Sequence, residues 1–364
     1  MGHEGYVSRG DLTMNIIKNV RLYGNIVDIA VEGGKIKEIG HIEADGVDFG
    51  GADIYPGLID THSHGCVGED TMGGDIAKMA RFELSSGVTT WYPTTTTMSR
   101  EDIIAACEAE ICIEGGANIP GFHLEGPFIN AKYKGAQNEE FILPPDLALL
   151  RECKNVKKIS LAPEIPGALD FIRESGIVVS LGHTDATYED SLAAFRAGAT
   201  CLTHTFNRMP PIHHRDPGPI GAAADFGGVF AELIADGKHV HPSVVKMLIS
   251  ILGEDNVVLI SDSMSATGLG DGDYELSGLP VTVRDGYART QDGALAGSTS
   301  TLFDCVRSAI SMGIDKNLAV KMATENPARL MGLNKGKIEV GYDADFIIVD
   351  EDFNLIRAIA RGEL

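Results

Sequence analysis

Glu125, His183 and His204 each stand at or just beyond the end of a short apolar run: Ile119 to Leu124, Ile177 to Leu181 and Cys201 to Thr203. Brought to one rim of a parallel barrel, a carboxylate and two imidazoles can hold a divalent metal ion and leave a coordination position open for water. That is the make-up of a hydrolytic centre. His62 and His64, two residues apart beyond the run Ile54 to Ile59, face one side of a strand and can ligate jointly. Asp262, after Val257 to Ile260, adds a carboxylate able to take up and return a proton. His123, two residues before Glu125, points the same way along the strand, and a packing role and direct chemistry both fit it. Each of these residues alone reads as an ordinary polar group at a strand end; their number and spacing point to a metal.

Positioning them requires a repeated element. Beyond the runs already named, Val88 to Tyr92, Ile159 to Ala162 and Val229 to Ile234 complete a series of eight, each short, rich in Val and Ile, and followed by a polar group. Such runs read as strands buried on both faces, as in a parallel sheet. Helical stretches separate most of them: Asp75 to Ser86, Arg100 to Ile113, Val240 to Leu252 and, most clearly, Thr187 to Gly198. In the last, Thr187 is an N-cap, Asp190 fills the capping-box position and Gly198 stops the helix. Eight strand-helix units predict an α/β fold, a TIM (β/α)8 barrel with function at the carboxyl ends of its strands. The flanks alternate instead, with Gly33-Gly34 and Gly50-Gly51 as turns, so both chain ends are expected to pair into a small β-sandwich domain. The expected organisation is a polar extension or cloning remnant over 1–13, the small β domain over 14–54 and 335–364, and the barrel over 55–334. Asn326-Pro327-Ala328-Arg329 reads as a helix start with a structural role.

The 364 residues suit a barrel of about 250 residues plus an appendage. Thirty basic against 52 acidic residues give a net charge of −22, which argues against a nucleic-acid partner, because a phosphate backbone needs a basic face. A small anion is different, since one or two arginines in a pocket capture a phosphate whatever the global charge. No apolar stretch reaches the roughly 18 residues of a membrane span, and no signal peptide is apparent. Six scattered cysteines without metal-type or redox-type spacing point to a reducing cytoplasm.

With these residues in view, Asp60-Thr61-His62-Ser63-His64-Gly65 resembles the first-strand metal motif of the amidohydrolase superfamily. The segments His123 to Pro127, Gly182 to Ala186, Thr203 to Asn207, Ala235 to His239, Ser261-Asp262 and Leu295 to Ser298 are similar to those of its N-acetylglucosamine-6-phosphate deacetylase family. The resemblance runs from about Ile16 to Val349. It implies a metal-dependent hydrolase that converts N-acetylglucosamine 6-phosphate to glucosamine 6-phosphate and acetate, in amino-sugar catabolism or cell-wall recycling.

It further implies Glu125, His183 and His204 as metal ligands, with His62 and His64 adding a second ion bridged by Glu125. The alternative is a one-metal centre in which His62 and His64 only hydrogen-bond. Zn, Fe and Mn all suit the donor set. Asp262 matches the family's catalytic aspartate. Substrate contacts are implied at Ala136, Gln137, Asn207, Arg208, Asp236, His239, Leu295, Ala296 and Gly297. Arg215 is implied to reach a neighbouring subunit's phosphate, hence a homodimer. Gln137 departs from members with His there; it can donate a hydrogen bond but cannot carry a proton. The alternatives are the galacto-configured substrate, a deaminase or cyclic amidase of the same superfamily, and a barrel that has lost catalysis.

Overall fold

The structure, a computed structural model, describes residues 14–364; the expected extension over 1–13 lies outside the described residues. All eight apolar runs contribute to one parallel sheet that curls into a barrel: β1 (Leu58–Ser63), β2 (Val88–Thr95), β3 (Phe122–Glu125), β4 (Val156–Leu161), β5 (Val178–Leu181), β6 (Cys201–Leu202), β7 (Phe230–Leu233) and β8 (Val257–Leu259). Each is followed by a helix: α1 (Ile76–Ser85), α2 (Arg100–Ala106), α3 (Leu147–Glu152), α4 (Ala168–Ser175), α5 (Tyr188–Ala197), α6 (Gly218–Phe226), α7 (Pro242–Leu252) and α8 (Leu302–Ser311). β1 and β8 meet at the carboxyl-terminal rim, where the Asp262 amide donates to His62 O at 2.9 Å and the His64 amide to Ser263 O at 2.8 Å. Further down, the chain after α8 wedges between these two strands. Ile59 N–H donates to Ala323 O at 2.9 Å, and the Asn326 carboxamide donates to Val257 O at 2.7 Å. This is the structural part played by Asn326, inside a helix that starts at Glu325.

The first run, Ile54 to Ile59, divides at Gly57. Asp53–Pro56 pairs outside the barrel, and only Leu58 onward enters it. Residues from both chain ends share a seven-stranded sheet, in the order Leu355–Ile359, Phe346–Val349, Asp53–Pro56, Asn15–Leu22, Asn25–Glu32 and Lys35–Gly40, with Val47–Asp48 alongside Asn15–Leu22. Ile17, Ile29, Ile54, Phe346 and Ile348 form its own apolar core.

The α5 capping box is present as expected, with the Thr187 hydroxyl accepting from Asp190 N–H and the Asp190 carboxylate accepting from Thr187 N–H. α2 ends at Ala106 rather than Ile113, because Ile111, Cys112 and Ile113 run from half-buried to exposed to buried, an alternation that suits an extended chain. α7 starts at Pro242, two residues late, with His241 as its cap. Among the elements not anticipated, Gly272–Leu276, Leu279–Arg284 and Tyr287–Thr290 form a three-stranded antiparallel sheet between β8 and α8. Its two tight turns, Ser277-Gly278 and Asp285-Gly286, hold both central residues at positive φ, the geometry of two-residue hairpin loops. Among the described residues no helix is long and apolar enough to cross a membrane.

Candidate metal centre

The barrel brings the candidate ligands to one rim. Glu125 is the last residue of β3, His62 lies in β1, His64 just after it, and His183, His204 and Asp262 follow β5, β6 and β8. His183, His204 and Asp262 share left-handed backbone, at φ of 49°, 26° and 48°. Such conformations cost non-glycine residues about 1–3 kcal/mol and persist only where the surroundings impose them. Gly126 turns the chain away after Glu125 at φ 83°, and a Cβ there would meet Thr97 Oγ1 at 2.3 Å, so only glycine fits.

Four imidazoles converge on one carboxylate. Glu125 Oε1 lies 3.1 Å from His183 Nε2, 3.0 Å from His204 Nε2 and 3.2 Å from His62 Nε2, while Oε2 lies 3.3 Å from His64 Nε2. Asp262 Oδ1 is 3.5 Å from His62 Nε2 and 3.3 Å from His64 Nε2. The opposite edge of every ring faces an acceptor. His183 Nδ1 meets Tyr133 O at 3.0 Å, His204 Nδ1 meets Asn207 O at 3.1 Å, His64 Nδ1 meets Thr94 O at 3.2 Å, and His62 Nδ1 meets Glu232 Oε2 at 3.1 Å.

Carbonyl and carboxylate oxygens only accept, so each ring carries a proton on Nδ1, and Nε2 is the nitrogen turned inward that can ligate a metal. The His183 and His204 Nε2 atoms are 3.1 Å apart, and with both rings protonated on Nδ1 alone they would meet lone pair to lone pair. A cation between them removes that conflict, and metal bonds of about 2.0–2.2 Å place neighbouring donors at about this spacing. Two overlapping donor sets, His62-His64-Glu125 and Glu125-His183-His204, each fit one divalent ion.

The electrostatics agree. Burial would lower the His62 pKa, but Glu125, Asp262 and Glu232 outweigh it and raise it to about 9, so these carboxylates draw positive charge to the ring, and on the Nε2 side a bound metal ion would fill that place instead of a proton. Burial would lift Glu125, yet His183, His62 and His64 hold it well below the usual carboxylate range. So much crowded negative charge beside buried imidazoles is a setting for a metal cation. His123 takes the packing role: its Nδ1 faces Thr94 Oγ1 at 3.2 Å, its Nε2 faces Ser160 Oγ at 2.8 Å, and its ring stands edge-on to His62.

A cavity of about 310 Å³ opens over the cluster. Ala136, Gln137, Asn207, Arg208, His239, Leu295 and Gly297 line it, with His64, Glu125, His183, His204 and Asp262 at its floor. Three further wall residues were not among the candidates: Tyr133, Phe206, which lies inside the Thr203 to Asn207 segment, and Leu276, from the inserted sheet. Gln137 is already engaged, since Thr97 N–H donates to its Oε1 at 2.6 Å and its Nε2 donates to Glu125 Oε2. Asp236 stands behind His239, accepting from its Nδ1 at 2.8 Å, so the other ring nitrogen is left for the cavity. Ala296 packs into the core of the inserted sheet. Arg215 does not line the cavity; it lies in the exposed turn 213–216, donating to His214 Nε2 at 2.8 Å.

A model of the amidohydrolase family matches residues 54–364. The N-acetylglucosamine-6-phosphate deacetylase of Lysinibacillus sphaericus is 36% identical over 359 residues, 93% of either chain. The N-acetylgalactosamine-6-phosphate deacetylase of Escherichia coli O157:H7 is 36% identical over 85% of this chain and 87% of its own. Among solved structures, a mutant N-acetyl-D-glucosamine-6-phosphate deacetylase from Mycobacterium smegmatis, in complex with N-acetyl-D-glucosamine-6-phosphate, superposes with a TM-score of 0.88 at 30% identity, over 97% of this chain and 99% of that one. Spanned from β1 to its last residue by the family's model, and carrying the rim of histidines and carboxylates described above, the chain belongs to the amidohydrolase family.

Proposed function

We propose that this protein hydrolyses the acetamide of N-acetyl-D-glucosamine 6-phosphate, giving D-glucosamine 6-phosphate and acetate. The observation that carries the reading is the convergence of four imidazole Nε2 atoms on Glu125, beside Asp262 and beneath the cavity. Glu125, His183 and His204 would hold a divalent ion, with a second position offered by His62 and His64, and the ion would supply Lewis-acid polarisation of the amide carbonyl and acidify water. Zn, Fe and Mn are all accepted by histidine and carboxylate donors of this kind.

Asp262 accepts a proton from the attacking water as the new C–O bond forms. It then returns that proton to the nitrogen as the C–N bond breaks, since an amide nitrogen leaves poorly without protonation. Gln137 holds the second oxygen of Glu125 and keeps the carboxylate turned to the rings. Asn207, Arg208 and His239 hold the sugar phosphate from the cavity wall. Arg215 serves the neighbouring subunit of a homodimer, consistent with its place outside its own cavity. Six free cysteines suit a cytoplasmic enzyme.

The galacto epimer is the substrate named for the Escherichia coli relative, so the test includes both. Acetate release is measured from the two N-acetylhexosamine 6-phosphates and from unphosphorylated N-acetylglucosamine. The expected order of kcat/KM is gluco phosphate, galacto phosphate, then free sugar. A galacto preference replaces the substrate, and no acetate from any of the three overturns the reading.

A further inference from the structure

Beneath the ligand cluster, the barrel interior holds an ion pair that the reaction above does not use. Lys158 of β4 and Glu232 of β7 are both fully buried, and Lys158 Nζ donates to Glu232 Oε1 from across the barrel. Lys158 also donates to Thr61 O at 3.2 Å, and the Thr61 hydroxyl donates to Glu232 Oε1 at 3.2 Å. The other carboxylate oxygen receives His62 Nδ1–H at 3.1 Å and the His204 amide at 3.4 Å. Burying such a pair contributes little to stability, because desolvation offsets the attraction and apolar residues of similar volume serve as well. Stability alone therefore gives no reason for it.

What singles it out is its place behind His62. The Nδ1 edges of His64, His183 and His204 rest on neutral backbone carbonyls, whereas His62 alone is backed by a carboxylate. A carboxylate behind an imidazole fixes its tautomer and orientation and makes the inward nitrogen a stronger donor to a metal. We infer that Glu232, oriented by Lys158, is the positioning residue that gives the His62-His64-Glu125 position its metal affinity. The Lys158 ammonium keeps the carboxylate from standing as an unpaired charge in the barrel, and Thr61 fixes which oxygen faces His62. Glu232 touches neither ion nor substrate and acts through His62. The inference rests on the metal-dependent reading above.

The test is a zinc titration of metal-free protein against a chromophoric chelator, comparing wild type, Glu232→Gln and the neutral pair Lys158→Met/Glu232→Gln. The double variant guards against misfolding, since it leaves no buried charge unpaired. The wild type should take two equivalents. Both variants should weaken the second by about 10–100-fold and leave the first within twofold. In the zinc-loaded wild type, the imidazole nitrogen resonances of His62 should report the proton on Nδ1, a readout that needs no variant.

Unchanged affinity for the second equivalent in the double variant overturns the inference. So does equal weakening of both equivalents, which would make the pair a scaffold, or His62 with its proton on Nε2. A wild type that takes only one equivalent also overturns it, while leaving one-metal hydrolysis standing. A wild type that takes no zinc and releases acetate without metal is instead a failure of the proposed function.

Discussion

Asp262 emerges from β8 at φ 48° with its Oδ1 3.3 Å from His64 Nε2, held where a carboxylate can both take and return a proton. Asp262→Asn keeps the size and some of the hydrogen bonding but removes that capacity. kcat should fall by about 10²–10⁴-fold while metal content by elemental analysis stays near wild type; loss of metal would make Asp262 mainly a ligand. Arg208 is the arginine that lines the cavity. Arg208→Ala should raise KM for the phosphorylated sugar by a charge-assisted contact of about 1.5–3 kcal/mol, with a much smaller effect on the free sugar, and equal effects on both would remove the phosphate contact. Most of these residues were legible because each follows an apolar run, where a barrel gathers its chemistry. Lys158 and Glu232 were not. Within Val156-Lys157-Lys158-Ile159, one lysine looks like the other, yet Lys157 points outward and Lys158 is buried to the last atom. Only the fold shows that a carboxylate waits for it across the barrel.

At the scale of elements, the strands were readable as short, mainly apolar runs rich in Val and Ile, each followed by a polar group, and α5 because its cap and stop are local. The inserted sheet is marked only by Asp285-Gly286 between alternating segments, a hairpin signal that falls outside the strand-helix rhythm of the barrel. That sheet matters, since it sends Leu276 into the cavity wall. Its turn is tied to the rim by Asp70, whose Oδ2 accepts from Ser277 N–H at 2.9 Å. Asp70→Ala removes a contact worth about 1 kcal/mol, so KM should rise several-fold while kcat and the melting temperature change little. An unchanged KM would show that the inserted sheet holds its place without this anchor.

For the whole molecule, the sheet shared by both chain ends and the barrel between them follow from patterning. Assembly leaves no comparable mark, because a surface that meets a second copy reads like any other surface in one chain. Arg215, exposed and turned from its own cavity, is where the proposed dimer can be tested. Arg215→Ala chains and Asp262→Asn chains, each impaired alone, should regain activity when mixed and allowed to exchange subunits, because a mixed dimer contains one site with both residues intact. No recovery after verified exchange would confine each site to one subunit.

In the proposed function, the ring of imidazoles around Glu125 works by holding a metal. The most direct test of that role follows acetate release from N-acetylglucosamine 6-phosphate after the protein has been stripped with a chelator and shown by elemental analysis to be metal-free, then supplied with one divalent metal at a time. The stripped protein should release no acetate above background and should recover with Zn, Mn or Fe. Full activity in verified metal-free protein would contradict that role.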